Sequence, residues 1–309
     1  MALPAPLALD LRGRSLTRIR DWTAAELDAV LDLADELKVN REPQRLLEGR
    51  TLGLLFRKHS TRTRVSLEVA AAHLGATALY LPGEQLQLAR GESIEDTARV
   101  LGRYLDALAI RTHEHAEVET FAAVAGVPVV NALTDEAHPL QALADLQTIR
   151  ERFGALEGVR VAWVGDGSNV CVSLAEACAL LGAEFVCAAP AGYEPHDPSI
   201  SVVGDPREAA AGAHVLVTDV WVSMGQEDER EQRMRDLAGY SLDTELLGLA
   251  DRDAIVLHCL PAHPGEEISA DVLYGPRSAV WDEAENRLHT AKALLALTVA
   301  GGPAFALRG

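Results

Sequence analysis

A run of basic and hydroxyl residues early in the chain carries the most reactive chemistry in the sequence. Residues 58–64 read Lys-His-Ser-Thr-Arg-Thr-Arg, and the apolar residues 51–56 before them are typical of a buried strand. A strand–helix junction presents backbone N–H groups and the positive end of a helix dipole to anions. Arg62 and Arg64 add guanidinium groups that bind phosphate oxygens in pairs. The run therefore predicts a phosphate site, although serine and threonine are equally common as simple helix caps.

A histidine and a glutamine lie three positions apart where a loop is expected to enter a helix. The segment reads His138-Pro139-Leu140-Gln141, and proline suits the first helical turn. A spacing of three turns both polar side chains toward one side of the helix. A neutral imidazole and an amide can both hydrogen-bond a carbonyl or carbamoyl group. The pair is a candidate polar site, with a histidine at a helix cap as the simpler interpretation.

Polar groups in the second half of the chain also follow predicted strands. Asn169, Asp219 and Cys259 each come shortly after a short apolar run. Open α/β sheets bind ligands beyond the carboxyl ends of their strands, so we expect a cleft between the two halves of the chain. Asp219 is suited to pairing with a substrate ammonium, although an acid there is also typical of a turn. A cysteine such as Cys259 is most often a small core residue.

The glycines after the fifth predicted strand resemble the start of a dinucleotide-binding turn. Gly165 and Gly167 have the required spacing, but Val170 stands where the third glycine belongs. No acid ends the next strand, where residues 187–190 read Cys-Ala-Ala-Pro. Both absences argue against a nicotinamide cofactor.

The elements that must position these groups follow a regular alternation. Predicted strands are residues 51–56, 76–81, 107–110, 127–130, 159–164, 184–188, 214–218 and 254–257, and predicted helices include 23–38, 93–105, 114–125, 140–153 and 283–299. This alternation predicts parallel sheets covered by helices on both faces. A division near residues 154–158 gives a first domain of residues 1–153, completed by 284–309, and a second of residues 154–283.

Composition excludes several classes of partner. Of the 309 residues, 46 are acidic and 28 are Lys or Arg, so the formal net charge is −18. Nucleic acid or an anionic membrane would require a net basic face, and no stretch approaches the roughly 20 apolar residues of a membrane span. The four cysteines form no metal-binding spacing. A cytosolic protein with reduced thiols is the simplest interpretation.

Taken together and in chain order, these segments resemble the carbamoyltransferase family, and within it the enzymes whose acceptor is ornithine. Residues 60–64 and 138–141 are similar to its two carbamoyl-phosphate motifs, and residues 219–225 and 258–261 resemble its ornithine-type segments. The resemblance covers nearly the whole chain. It implies two Rossmann-like α/β domains, an active site in the cleft between them, and transfer of a carbamoyl group from carbamoyl phosphate to the δ-amine of L-ornithine. It implies no metal or organic cofactor.

The resemblance also assigns residues to each substrate. It places carbamoyl phosphate, mainly on the first domain, against Ser60, Thr61, Arg62, Thr63, Gln87, Arg111, His138, Gln141, Cys259, Leu260 and Arg287. It places ornithine, on the second domain, against Asn169, Asp219, Ser223 and Met224. Arg62, Arg111, His138 and Cys259 are expected to act in catalysis. Gln87 is expected to reach a neighbouring subunit's site, which implies a homotrimer or a multiple of one. A cis peptide bond is expected before Pro261.

Some alternatives stay open at this stage. The nearest alternative is a carbamoyltransferase with a different acceptor, such as putrescine, an N-acylornithine or aspartate. A nicotinamide-dependent oxidoreductase and a non-catalytic binding protein are the other two. The proton of the ornithine amine can pass to Cys259, Asp219 or a phosphate oxygen. The chain departs from the family pattern at Arg57, His59, Leu140 and Pro264. None of these departures falls on a residue assigned to substrate.

Overall fold

The computed structural model describes residues 9–40, 42–223 and 225–301, and these residues form two compact units. Within the described residues, the first unit runs to Leu143 and resumes at Arg287, and the second is Ala144–Asn286. Each unit contains one parallel sheet, so the expected α/β class with two parallel sheets is confirmed. Residues 1–8 and 302–309, the ends of the expected first domain, lie outside the described residues. No described helix is long and apolar enough to cross a membrane.

The first unit is built on four parallel strands in the order β2-β1-β3-β4. The strands are β1 Thr51–Phe56, β2 Thr77–Pro82, β3 Ala107–Arg111 and β4 Val129–Leu133. The central strand β3 is buried along its whole length, whereas β2, at the edge of the sheet, has partly exposed positions. This contrast explains why β3 reads as a continuous apolar run in the sequence.

Helices precede or connect these strands, and the first of them begins at a side-chain cap. They are α1 Ala24–Val39, α2 Arg62–His73, α3 Ile94–Leu101, α4 His115–Val124 and α5 Pro139–Phe153, the last of which continues into the second unit. The expected capping box of α1 is present, since Thr23 accepts from the Glu26 N–H and the Glu26 carboxylate accepts from the Thr23 N–H. Such a reciprocal pair satisfies two backbone donors that the first turn leaves open.

The second unit has five parallel strands in the order β7-β6-β5-β8-β9. The strands are β5 Arg160–Val164, β6 Glu184–Ala188, β7 Val202–Val203, β8 Val215–Thr218 and β9 Ile255–His258. Its helices are α6 Asn169–Leu181, α7 Pro206–Ala210, α8 Arg230–Asp236, α9 Thr244–Leu247 and α10 Ala270–Leu273, and α11 Val280–Leu295 returns the chain to the first unit. The sequence predicted neither β7 nor the short helices α7 to α10.

A buried lysine links the last helix to the first within unit one. Lys292, on α11, is 2% exposed, and its ammonium donates to the carbonyl of Leu37 at 3.0 Å. Leu37 lies in the last turn of α1, where carbonyl groups have no helical partner and the helix dipole favours a cation. Burial lowers the pKa of Lys292 below its ordinary value of 10.5.

Because of this pKa shift, the free energy of unfolding varies with pH in the alkaline range. Because the pKa of Lys292 is lower in the folded chain, the unfolded chain binds more protons just below pH 10.5, and stability rises with pH through that window. We expect wild type to gain urea resistance relative to Lys292→Met as pH rises toward 10.5. Tyrosine ionisation affects both proteins alike. A constant difference in urea midpoint across the alkaline range would contradict the lowered pKa.

Candidate active site

The candidate site of the first unit lies where β1 and β3 end. Phe56 pairs with Arg111 in the sheet register, so the loop after β1 and the last residue of β3 emerge side by side. The strand order reverses between β1 and β3, and open α/β sheets bind ligands at such a switch point. Helix α2 begins at Arg62. The topology therefore brings Arg62 and Arg111 to the same edge of the sheet.

The start of α2 adds backbone donors to these arginines. Thr61 precedes the helix, its side chain makes no capping hydrogen bond, and the first turn holds no acid. The open N–H groups and the helix dipole together favour an anion. Ser60 and Arg62 are half-buried and Thr61 is exposed, so the segment faces both protein and solvent.

A buried arginine connects two of the expected site residues. One Arg287 nitrogen donates to Gln141 Oε1 at 2.5 Å, and the other donates to Thr63 Oγ1 at 2.8 Å. All three side chains are buried. Arg287 thus orients the amide of Gln141 and the hydroxyl of Thr63. The sequence places these residues far apart, and the fold of the first unit brings them together.

His138 is held as a neutral imidazole. Its side chain is buried, and burial, followed by the charges of Arg287, Arg111 and Arg62, holds its pKa well below the ordinary value. A neutral ring donates one N–H and leaves the other nitrogen as an acceptor. His138 therefore adds a donor without adding a fourth positive charge.

Other residues of the basic run have separate partners. Lys58 forms an ion pair with Asp135, in the loop that leads to His138. Arg64 donates to Glu68 at 2.9 Å, and its guanidinium carbon lies 3.6 Å from the centroid of the Tyr80 ring. Arg64 is thus engaged on the outer side of α2 rather than beside Arg62. Gln87 is exposed, in a 3-10 turn formed by Gln87–Arg90.

The candidate site of the second unit lies where β5 and β8 end, again at a reversal of strand order. Asp219, directly after β8, is buried and accepts from the thiol of Cys259 at 3.2 Å. Burial raises the pKa of Asp219, and the hydrogen bonds that it accepts from Cys259 and from the Val220 N–H partly offset this. Burial and the Asp219 charge raise the pKa of Cys259 well above its ordinary value. Cys259 is therefore a neutral thiol that donates to the carboxylate.

A hydrogen-bond network fixes the segment around Cys259. The Leu260 N–H donates to His258 Nδ1 at 2.9 Å, so the ring proton lies on Nε2, which is 3.1 Å from a Glu267 oxygen. The His258 N–H donates to Glu283 at 2.8 Å. Leu260 has a φ of 58° and the Leu260–Pro261 bond is cis, as expected. No sequence signal marks Glu267, in the turn before α10, or Glu283, on α11.

Two further segments of the second unit carry residues that are expected to contact ornithine. Asn169 is half-buried at the first position of α6, and Ser223 is half-buried after β8. Met224 lies outside the described residues. Arg233 ties these segments together, because it forms an ion pair with Asp166 and donates to the Trp221 carbonyl at 2.5 Å. Nothing in the sequence distinguishes Arg233 from the neighbouring arginines of α8.

Gly167, after β5, is explained by packing. A Cβ atom built on Gly167 would lie 2.3 Å from the backbone nitrogen of Pro195, and the Gly167 N–H donates to the Tyr193 carbonyl at 2.8 Å. Gly167 is thus required by a close approach of two loops. This accounts for the glycine without a bound pyrophosphate.

Metal ligation competes poorly with the observed hydrogen bonds. Asp219, His258 and Cys259 bring three ligand atoms within 4.8 Å of one another. However, both ring nitrogens of His258 are already bonded, and the raised pKa of Cys259 disfavours the thiolate that a metal needs. His263, Glu266 and Glu267 form a second such group. There, Glu266 is paired with Arg230.

A parallel α/β unit with a basic anion site and a second with a buried carboxylate define a protein that binds small charged molecules at its strand ends. Comparisons with known proteins identify the family. Residues 14–151 match the family model described as the carbamoyl-P binding domain of aspartate/ornithine carbamoyltransferase, and residues 157–298 match its Asp/Orn binding domain. The chain belongs to the aspartate/ornithine carbamoyltransferase family.

Relatives and solved structures agree with the family models. An ornithine carbamoyltransferase of Acidothermus cellulolyticus is 55% identical over 299 residues, covering 91% of this chain and 96% of the relative. An ornithine carbamoyltransferase of Pyrococcus furiosus described as anabolic is 48% identical, covering 96% and 99%. The structure of ornithine carbamoyltransferase from Pyrococcus furiosus aligns with a TM-score of 0.91 at 48% identity, covering 94% of this chain and 99% of that one.

Proposed function

We propose that this protein transfers the carbamoyl group of carbamoyl phosphate to the δ-amine of L-ornithine, giving L-citrulline and phosphate. The observation that carries the proposal is the cluster of Arg62, Arg111 and Arg287 around the neutral His138. In a chain of net charge −18, such a concentration of fixed positive charge is suited to an anion. Relatives about half identical to this chain are ornithine carbamoyltransferases.

Carbamoyl phosphate binds on the first unit in this proposal. Its phosphate occupies the open start of α2, with Ser60, Thr61 and Thr63 as hydroxyl donors and Arg62 and Arg111 as bidentate partners. Its carbamoyl group lies against the residues that present neutral donors, which are His138 and Gln141. Arg287 orients Gln141 and Thr63 through the two hydrogen bonds described above.

Charge development explains why these donors are needed. The neutral δ-amine attacks the carbamoyl carbon, the bond from that carbon to the phosphate oxygen breaks, and the electron pair leaves with phosphate. Negative charge grows first on the carbonyl oxygen and then on the leaving group. Fixed donors aimed at both positions stabilise the transition state without reorganising. Binding both substrates in register removes the entropic cost of a bimolecular encounter.

Ornithine binds on the second unit in this proposal, with Asp219 paired to an ammonium group and with Asn169, Ser223 and Met224 as further contacts. The hydrogen-bond direction at Asp219 narrows the choice of proton acceptor. Cys259 is a thiol that already donates to Asp219, and its raised pKa leaves no thiolate to take a proton. The δ-ammonium therefore passes its proton to Asp219 or to a phosphate oxygen. Cys259 and Leu260 complete the site as neutral groups.

A panel of acceptors tests the proposed substrate. The purified protein is supplied with carbamoyl phosphate and, in parallel, with ornithine, putrescine, N-acetylornithine or aspartate, and the ureido product is measured. We expect ornithine to give the highest kcat/KM, because Asp219 provides a carboxylate for an amino-acid ammonium. Equal or faster reaction with putrescine or N-acetylornithine would reassign the acceptor while retaining the carbamoyl donor.

We further propose a cytoplasmic homotrimer, or a multiple of it, that works in arginine biosynthesis and needs no metal or organic cofactor. The free cysteines suit a reducing compartment, and the relative from Pyrococcus furiosus is described as anabolic. The exposed Gln87 is available to a neighbouring subunit. On this proposal, residues 1–153 with 284–309 form the carbamoyl-phosphate domain and residues 154–283 the ornithine domain.

Mixing two variants that are each impaired at a low ornithine concentration tests the shared site. If Gln87 completes a neighbour's site, then a Gln87→Ala subunit beside an Asp219→Asn subunit forms some sites in which both residues are intact. We expect citrulline formation to return after the two proteins exchange subunits, as verified by native mass spectrometry. Subunit exchange without recovered activity would show that Gln87 acts within its own chain or not at all.

A further inference from the structure

The loop between β4 and α5 is held by one buried threonine. The Thr134 N–H donates to the Ala137 carbonyl at 2.9 Å, and the Ala137 N–H donates to Thr134 Oγ1 at 3.2 Å. Both backbone polar groups of Ala137 are thus bonded to Thr134. The next residue is His138, so the position of Thr134 determines the position of the His138 backbone, from which the imidazole extends.

Two side chains from other parts of the first unit fix Thr134 in turn. Asn131 accepts from the Leu133 N–H at 2.9 Å, donates to the Thr17 carbonyl at 3.0 Å and approaches Thr134 Oγ1 at 3.5 Å. His115 Nδ1, from α4, lies 2.9 Å from the same hydroxyl. Asn131, Thr134 and His115 are all buried. The loop that carries His138 is therefore anchored to a strand and a helix.

His115 Nδ1 lies closer to the Thr134 hydroxyl than the Ala137 carbonyl does, at 2.9 Å against 3.4 Å. Thr134 Oγ1 also accepts from the Ala137 N–H. Burial, followed by the charge of Arg18, lowers the pKa of His115, which favours a neutral ring that donates through one nitrogen and accepts through the other. The Thr134 hydroxyl and His115 Nδ1 therefore share one hydrogen bond, whose direction follows the tautomer of the ring.

We infer that His115, Thr134 and Asn131 form a positioning network that sets the place of His138 for carbamoyl transfer. The inference rests on the proposed function, in which His138, on the loop that these residues hold, donates a hydrogen bond to the carbamoyl group. Donors to a developing oxyanion act only when held near their working geometry, and a displacement of about 1 Å can cost about 10²-fold in rate. None of the three residues needs to touch substrate.

Paired substitutions separate positioning from simple stabilisation. Thr134→Val keeps the shape and removes the hydroxyl, whereas Thr134→Ser keeps the hydroxyl. We expect Thr134→Val to lower kcat by about 10- to 100-fold, with the KM for ornithine within about twofold of wild type because that substrate binds on the second unit. Thr134→Ser is expected to restore kcat to within a few fold. Thr298→Val removes a buried hydroxyl of the same unit, which donates to the Leu294 carbonyl one turn earlier in the chain, and it is expected to leave kcat unchanged.

Substitutions of the histidine give an independent measurement. His115→Gln can still form a hydrogen bond with the Thr134 hydroxyl and is expected to stay near wild type, whereas His115→Leu cannot and is expected to lower kcat by about 10-fold. The double variant Thr134→Val/His115→Leu is expected to be no slower than Thr134→Val alone, because the two residues act through one hydrogen bond. If Thr134→Val fails to fold by circular dichroism, the His115 pair carries the test.

The failures of the two claims are distinguishable. Absence of citrulline formation by wild type contradicts the proposed function. The positioning network is contradicted if wild type forms citrulline and Thr134→Val retains kcat within threefold. If Thr134→Val does not fold, the same limit applies to His115→Leu. Equal losses in Thr134→Ser and Thr134→Val, or in His115→Gln and His115→Leu, also contradict it, because the hydrogen bond between the two side chains would then be irrelevant.

Discussion

Replacing Arg62 by alanine is expected to lower kcat by about 10²–10³-fold, the usual cost of losing one fixed donor to a developing oxyanion. Arg62 begins α2 at the switch point of the first sheet, and its charge acts on His138 together with those of Arg111 and Arg287. The substitution removes a guanidinium from both the phosphate and the carbamoyl oxygen. Steady-state kinetics with both substrates measures the loss.

Arg64→Ala is the matched control for this prediction. Arg64 lies two residues further along the same helix, but it is bonded to Glu68 and stacked on Tyr80. We expect Arg64→Ala to retain kcat within a few fold. If Arg62→Ala stays within tenfold of wild type, or if Arg64→Ala is equally impaired, the placement of the phosphate beside Arg62 is wrong.

Replacing Asp219 by asparagine is expected to raise the KM for ornithine by about 10²-fold or more, since removing one partner of a buried charge pair typically costs about 2–5 kcal/mol. Asp219 is buried and carries a raised pKa, so its charge is stabilised best when a cation is bound. The KM for carbamoyl phosphate is expected to stay near wild type. Asp228→Asn, an exposed neighbour in the following turn, is the control.

The same substitution is expected to change the reactivity of Cys259. Burial and the Asp219 charge both raise the pKa of this thiol. Replacing Asp219 by a neutral asparagine therefore lowers the pKa of Cys259 and increases the thiolate fraction. We expect faster alkylation by iodoacetamide at fixed pH in Asp219→Asn than in wild type. Unchanged ornithine KM together with unchanged alkylation would show that Asp219 faces neither ornithine nor Cys259.

Sequence patterns predicted the fold wherever the elements are long and their burial is continuous. Strand β3 reads as one apolar run because it is central and buried on both faces, and α1 has a capping box written into residues 23–26. The two-residue strand β7 and the four-residue helices α9 and α10 are too short to show a period. Their formation depends on neighbours distant in the sequence.

The candidate site divides in the same way. Arg62, His138 and Asp219 are predicted from the sequence because each follows a strand or precedes a helix, a position that the sequence reveals. Thr134, His115 and Arg233 were missed because their roles arise from tertiary hydrogen bonds. A threonine before a turn or an arginine on a short helix carries no local mark of such a partner.

The most direct test of the central claim follows the carbamoyl carbon itself. Carbamoyl phosphate labelled with ¹³C is incubated with the protein and ornithine, and ¹³C and ³¹P spectra are recorded together. Transfer as proposed here predicts that the label appears in the ureido carbon of citrulline, with one inorganic phosphate formed per citrulline and with the rate set by the protein concentration. Release of phosphate with the label in carbonate or cyanate at the uncatalysed rate, and no labelled citrulline, would contradict it.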